Sequence, residues 1–145
     1  MTMIAIRVFS EEKKKIEIAI HNRSHPESED FDDANWLNAI ISVSVIGFTA
    51  TVEINLRSED IIDFYHQVIE TIKGNSLDGL FSNLEENIYI KYSQKKSGSI
   101  LWAGYVRDFE GNMLQFSFSS DYMVLIDIKG QLKAVMDKYP LIIKD

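Results

Sequence analysis

Acid–base catalysis and metal binding most often call on histidine, and this chain has three, His21, His25 and His66. They form neither an H-E-x-x-H motif nor an i, i+4 pair on one helix, the spacings that hold zinc. Asp63 and His66 lie one helical turn apart, so a carboxylate could orient an imidazole for acid–base work. The same spacing is that of an ordinary surface pair near a helix edge, and we read it so. His21 at a strand end and His25 before Pro26 read as solvated. No serine sits in G-x-S-x-G. Gly98, Gly104 and Gly111 are spaced as hairpin punctuation, not as a phosphate-cradling loop before a helix. Glu29, Asp30, Asp32 and Asp33 have the composition of a calcium loop, but Phe31 and Ala34 interrupt it and its glycine and closing glutamate are missing. Without cysteine, disulfides, thiolate chemistry and sulfur-based zinc sites are excluded. We therefore expect no catalytic residue, no cofactor and no metal.

Charge is the chemistry that remains. Residues 1–23 carry five Lys/Arg against three Asp/Glu, residues 24–94 three against thirteen, and residues 95–145 seven against six. No basic side chain occurs from Ser24 to Leu56, where Glu27, Glu29, Asp30, Asp32, Asp33 and Glu53 fall. Such a surface repels nucleic acid and anionic lipid and steers a basic partner. Trp36 follows the acidic run and opens an apolar strand, so it is either core or an exposed anchor beside the carboxylates. Interface energy concentrates in anchors of this kind. The expected partner-binding residues are Glu27, Glu29, Asp30, Asp32, Asp33 and Trp36, with Glu59, Asp60 and Asp63 as a second patch. The acidic run is equally readable as a solubilising segment. Lys13, Lys14 and Lys15 are largely neutralised by Glu11, Glu12 and Glu17. Phe116 and Phe118 could stack bases, but alternation with Gln115 and Ser117 and a net charge of −7 mark them as core.

The elements that must position these residues follow from periodicity. At 145 residues, 46% hydrophobic and 26% charged, with two prolines and no internal repeat, the chain reads as a single domain, 1–145. Met3–Phe9 and the alternating Ile16, Ile18 and Ile20 predict a hairpin turning at Ser10–Lys13. Residues 22–33 predict a loop. Trp36–Ile46 and Phe48–Leu56 predict strands around Gly47. Ser58 as N-cap, Glu59 and Asp60 in the first turn, the stripe Ile61, Tyr65, Val68 and Ile72, and Lys73-Gly74 at the end predict a helix. Gly74–Asn87 reads as turn residues around Leu77, Leu80 and Phe81. A three-stranded meander follows from Ile88 to Phe118. Beyond it, Tyr122–Ile128 could extend the strand, but Ser120 or Asp121 as cap and the stripe Leu125, Leu132, Val135, Met136 and Tyr139 favour a helix ending before Pro140. Gly130 in that helix costs about 1 kcal/mol against Ala. The expected fold is α+β, a largely antiparallel sheet in the order β-β-β-β-α-β-β-β-α with helices packed on one face. The N-terminus lacks the order of a secretory signal and no apolar run is long enough to span a bilayer.

Several local signatures resemble a family of small bacterial immunity proteins, the WapI-like family of wall-associated protein A type toxin systems. They are Asn35-Trp36-Leu37 opening a strand, Gly47-Phe48, the helix Asp60–Ile72, Gly79-Leu80-Phe81 with Glu85, Gly104, and Phe116 through Asp121-Tyr122. The resemblance covers about residues 33–140. It implies a non-enzymatic cytoplasmic protein that binds and blocks a cognate toxin domain, commonly a nuclease, with no nucleic-acid or membrane partner of its own. It transfers no functional residue position by position. The alternative is a generic protein-interaction or scaffold domain, a homodimer joined through an uncovered sheet edge or face.

Overall fold

The computed structural model describes residues 4–10 and 13–143, the side chain of Asp32 excepted. β1 (Ile4–Phe9) and β2 (Lys15–Arg23) form the expected hairpin, with Ile6 opposite Ile18 and Val8 opposite Ile16. Of the turn between them, Glu11 and Glu12 lie outside the described residues. β3 (Trp36–Val45) and β4 (Phe48–Arg57) pair along their full length about Gly47, whose φ of +92° the tight turn requires. These four strands make one antiparallel sheet in sequence order. A one-turn helix, α1 (Phe31–Ala34), stands within the expected loop.

α2 (Ser58–Ile72) follows, burying Ile61, Phe64 and Val68 at helical spacing. Its start differs from expectation. Arg57 occupies the N-cap, and Asp60 reaches back to accept its N–H (2.9 Å) and its Nη2 (3.0 Å). Ser58 is buried instead, its N–H donating to the carbonyl of Asn35 at 2.9 Å. The second sheet is β5 (Asp78–Ser82), β6 (Ile88–Gln94), β7 (Ile100–Arg107) and β8 (Met113–Ser120), again antiparallel in sequence order. β5 is a strand that the pattern of turn residues around Leu80 and Phe81 did not predict. α3 (Met123–Lys138) closes the chain; Asp121 Oδ1 accepts the Met123 N–H at 2.7 Å, so 122–128 leaves the sheet as helix.

The molecule is thus two antiparallel four-stranded sheets and two long helices, a β-β-β-β-α unit used twice with α1 inserted in the first. The repeat is one of backbone and not of residue identity, which is why the sequence does not display it. The inner faces of both sheets and the buried sides of α2 and α3 form one hydrophobic cluster, in which Phe116 and Phe118 face inward as expected. Each helix also closes the free edge of the other unit's first strand. Gln67 of α2 accepts the Leu80 N–H (2.7 Å) and donates to the Leu80 carbonyl (3.0 Å) on β5. Gln131 of α3 accepts the Arg7 N–H on β1 at 2.7 Å. Side-chain amides here satisfy backbone groups that an edge strand leaves unpaired.

Candidate functional site

The outward face of the first sheet carries the groove that brings most of the singled-out residues together. Its floor comes from pairing register. Asn22 on β2 faces Asn38 on β3, and Asn38 faces Asn55 on β4. Side chains directly opposite on adjacent strands stand about 5 Å apart, so the three amides form a row across the sheet. The row exists because the β2–β3 register slips between Ile20 and Asn22. His21 is the extra residue of that bulge. After a run in which Ile16, Ile18 and Ile20 point inward, the bulge puts both His21 and Asn22 against the groove.

The row is tied by hydrogen bonds. Ser24 Oγ donates to Asn38 Oδ1 (2.9 Å), Asn38 Nδ2 to Asn22 Oδ1 (2.8 Å), and Asn55 Nδ2 to Glu85 Oε1 (3.3 Å). Two hollows of about 480 and 370 Å³ meet at Asn38 and Asn55. The first is bounded by His21, Ile40, Glu53 and Phe109, the second by His25, Asp33, Trp36 and Glu85. No Lys or Arg lines either hollow. Among the described residues, the carboxylates of Asp33 and Glu53 accept no hydrogen bond, and neither they nor Glu85 are ion-paired. His21 Nε2 is buried without a partner among the described residues, while the His21 carbonyl accepts the Tyr139 hydroxyl at 3.0 Å.

The acidic segment is built, not loose. Asp30 Oδ1 accepts the Asp33 N–H (3.1 Å) and its carbonyl the Ala34 N–H (2.9 Å), which winds the single turn of α1. The fully buried Asn35 then fastens this turn to the far end of the chain. Its Nδ2 donates to the carbonyls of Phe31 (2.8 Å) and Ile142 (2.9 Å), and its Oδ1 accepts the Ile142 N–H (2.8 Å). Arg23 supports the same junction by donating to Ala34 O at 3.1 Å and Pro140 O at 2.6 Å.

The nine residues singled out for partner binding are placed unevenly. Glu27, Glu29 and Asp30 are exposed on the loop, and Asp33 and Trp36 stand in the groove. The side chain of Asp32 lies outside the described residues. Trp36, half-buried, is neither core nor fully exposed. On α2, Asp63 is exposed and Glu59 half-buried with Oε1 unpartnered. Asp60 is withdrawn from the second patch: it is 8% exposed and spent on Arg57. Sequence reasoning missed the asparagine row, Glu85 and Phe109, which is 65% exposed. Phe109 is carried by a turn in which Asp108 Oδ1 accepts the N–H groups of Glu110 and Asn112, both at 2.9 Å, and Oδ2 accepts Asn112 Nδ2 at 2.8 Å. Those bonds hold the Asp108 carboxyl below the usual carboxylate range, the Asn112 side chain contributing most. The arrangement is suited to binding cationic groups; nothing in it pairs a nucleophile with a base.

Among the described residues, no helix is long and apolar enough to cross a membrane. A family model described as immunity protein WapI-like family matches residues 6–140. No curated protein matches the chain. A solved structure of MRP1/MRP2 from trypanosoma bruciei superposes with a TM-score of 0.55 over 97% of this chain and 88% of that one, at 6% identity, a likeness of fold alone.

Proposed function

The chain belongs to the WapI-like immunity protein family, and on that premise we propose that it is a non-enzymatic cytoplasmic inhibitor that binds and blocks a basic, nuclease-like toxin domain. The observation that carries this reading is the family match across residues 6–140. Support comes from the distribution of charge. A nuclease must present basic side chains to phosphates. An inhibitor that sets carboxylates where those phosphates would lie satisfies the same donors and keeps substrate out. Asp33, Glu53 and Glu85 around the groove, and Glu27, Glu29 and Asp30 on the adjoining loop, are the carboxylates assigned to that task. Trp36 is the anchor, and Glu59 and Asp63 on α2 are assigned as a second patch.

The test is co-expression with the C-terminal domain of the product of the gene directly upstream, as the candidate toxin. The expected result is growth restored in cells that the toxin alone arrests, and co-purification of the two chains at equal stoichiometry. Continued arrest with this protein present at excess would overturn the reading.

A further inference from the structure

We propose that the groove on the first sheet receives an arginine side chain of the partner, and that it discriminates arginine from lysine. The inference rests on the immunity reading for the source of that arginine, but the groove's preference for it stands on geometry alone.

The lining is acceptor-rich and lacks cations. The carboxylates of Asp33 and Glu53 accept no hydrogen bond among the described residues, and Glu85 accepts one, at Oε1 from Asn55 Nδ2. A guanidinium presents five N–H donors in one plane and engages a carboxylate through two of them at once. It can therefore span Glu85 and the neighbouring amide row, whereas an ammonium is a compact, strongly hydrated point charge. Two aromatic rings flank the floor, Trp36 in one hollow and Phe109 in the other. A guanidinium stacks flat on such a ring and loses little hydration in doing so, a gain that lysine shares less. The floor is also rigid where it needs to be. Ser24, Asn38 and Asn22 are bonded to one another in series, so the amide row is set before the ligand arrives.

The experiment is a solution titration of the full chain with N-acetyl-arginine amide and, in parallel, N-acetyl-lysine amide, followed by NMR. The arginine compound should shift the side-chain amides of Asn38 and Asn55 and the Trp36 indole N–H. The lysine compound should bind at least about five-fold more weakly. Combining Glu53→Gln with Glu85→Gln should abolish the response. Equal response to the two compounds, or a response that survives the double substitution, would overturn the proposal. A second arm uses the toxin domain. Trp36→Ala should weaken the complex at least about ten-fold, as loss of a central anchor does. An unchanged affinity sinks the groove assignment while leaving the immunity reading intact. If the wild-type chain forms no complex, the immunity reading fails and the arginine titration alone decides the groove.

Discussion

Asn35 shows how much one side chain can decide. Its amide joins the one-turn helix of the acidic segment to the C-terminal stretch through hydrogen bonds to Phe31 and Ile142, while its backbone carbonyl accepts the Ser58 N–H at the start of α2. In the family resemblance it is part of Asn35-Trp36-Leu37, of which Asn35 and Leu37 are both fully buried and structural, with Trp36 left to face the groove. Asn35→Ala removes the amide but leaves the N–H and carbonyl of Ile142 unmet. We expect a loss of about 1–2 kcal/mol, since backbone groups that are half-buried lose their partner. A urea unfolding curve should show a lower midpoint with an unchanged slope. Glu85 was not singled out, but Trp36 and the acids of residues 27–33 were readable in the sequence because composition alone marks them. The asparagines were not. Asn22, Asn38 and Asn55 belong to three different strands and become neighbours only through the β2–β3–β4 register. The bulge at His21 moreover reverses the in–out alternation that a strand reading must assume.

Among the elements, the strands and helices with strong periodicity were legible nearly to their ends, and those held by tertiary contacts were not. β5 is the clearest case. Asp78–Ser82 has only Leu80 and Phe81 as apolar residues, and what makes it a strand is pairing with β6 and the two-sided clamp from Gln67. Three glycines that looked alike as punctuation also separate. Gly98 and Gly111 turn the chain at φ of +93° and +95°. Gly104 lies inside β7, where an added Cβ would collide with the backbone carbonyl oxygen of Tyr89 on β6. Gly104→Ala should therefore break the β6–β7 pairing and lower the melting temperature. Gly130 is the opposite: it is exposed in α3 with open space where a Cβ would stand. Gly130→Ala should stabilise the fold by about 1 kcal/mol, and a pair of thermal melts compares the two. The β7–β8 turn gives a pH prediction. Asp108 has its carboxyl lowered by bonds to Asn112 and Glu110, so its hold on the turn is complete above the ordinary carboxylate value. That hold is lost as pH falls through the lowered one. The NMR signals of the Glu110 and Asn112 N–H groups should shift over that acidic interval.

At the scale of the whole molecule, the uneven charge along the chain acquires a spatial meaning only through the fold. Carboxylates contributed by the acidic segment, β4 and the β5–β6 turn converge on one groove, although Asp33, Glu53 and Glu85 are far apart in sequence. Around it, Glu27 and Glu29 are exposed on the loop. Two roles follow from distance. Charges that stay in water act mainly on the encounter, attracting a basic partner over roughly a Debye length, about 10 Å at 0.1 M salt. Side chains buried at contact, among which the proposed interface puts Trp36, act on dissociation. The loop variant that isolates the first role is Glu27→Lys with Glu29→Lys. Asp30 must be spared, because its Oδ1 caps α1 and its loss would unwind the turn that places Asp33. With the toxin domain as partner, stopped-flow mixing should show association slowed by about ten-fold at low ionic strength, a flatter dependence on salt, and a dissociation rate close to wild type. Trp36→Ala should give the converse, near-normal association and faster dissociation. Unchanged association kinetics in the loop variant would place the toxin on another face, and the exposed acids of the loop would then serve solubility alone.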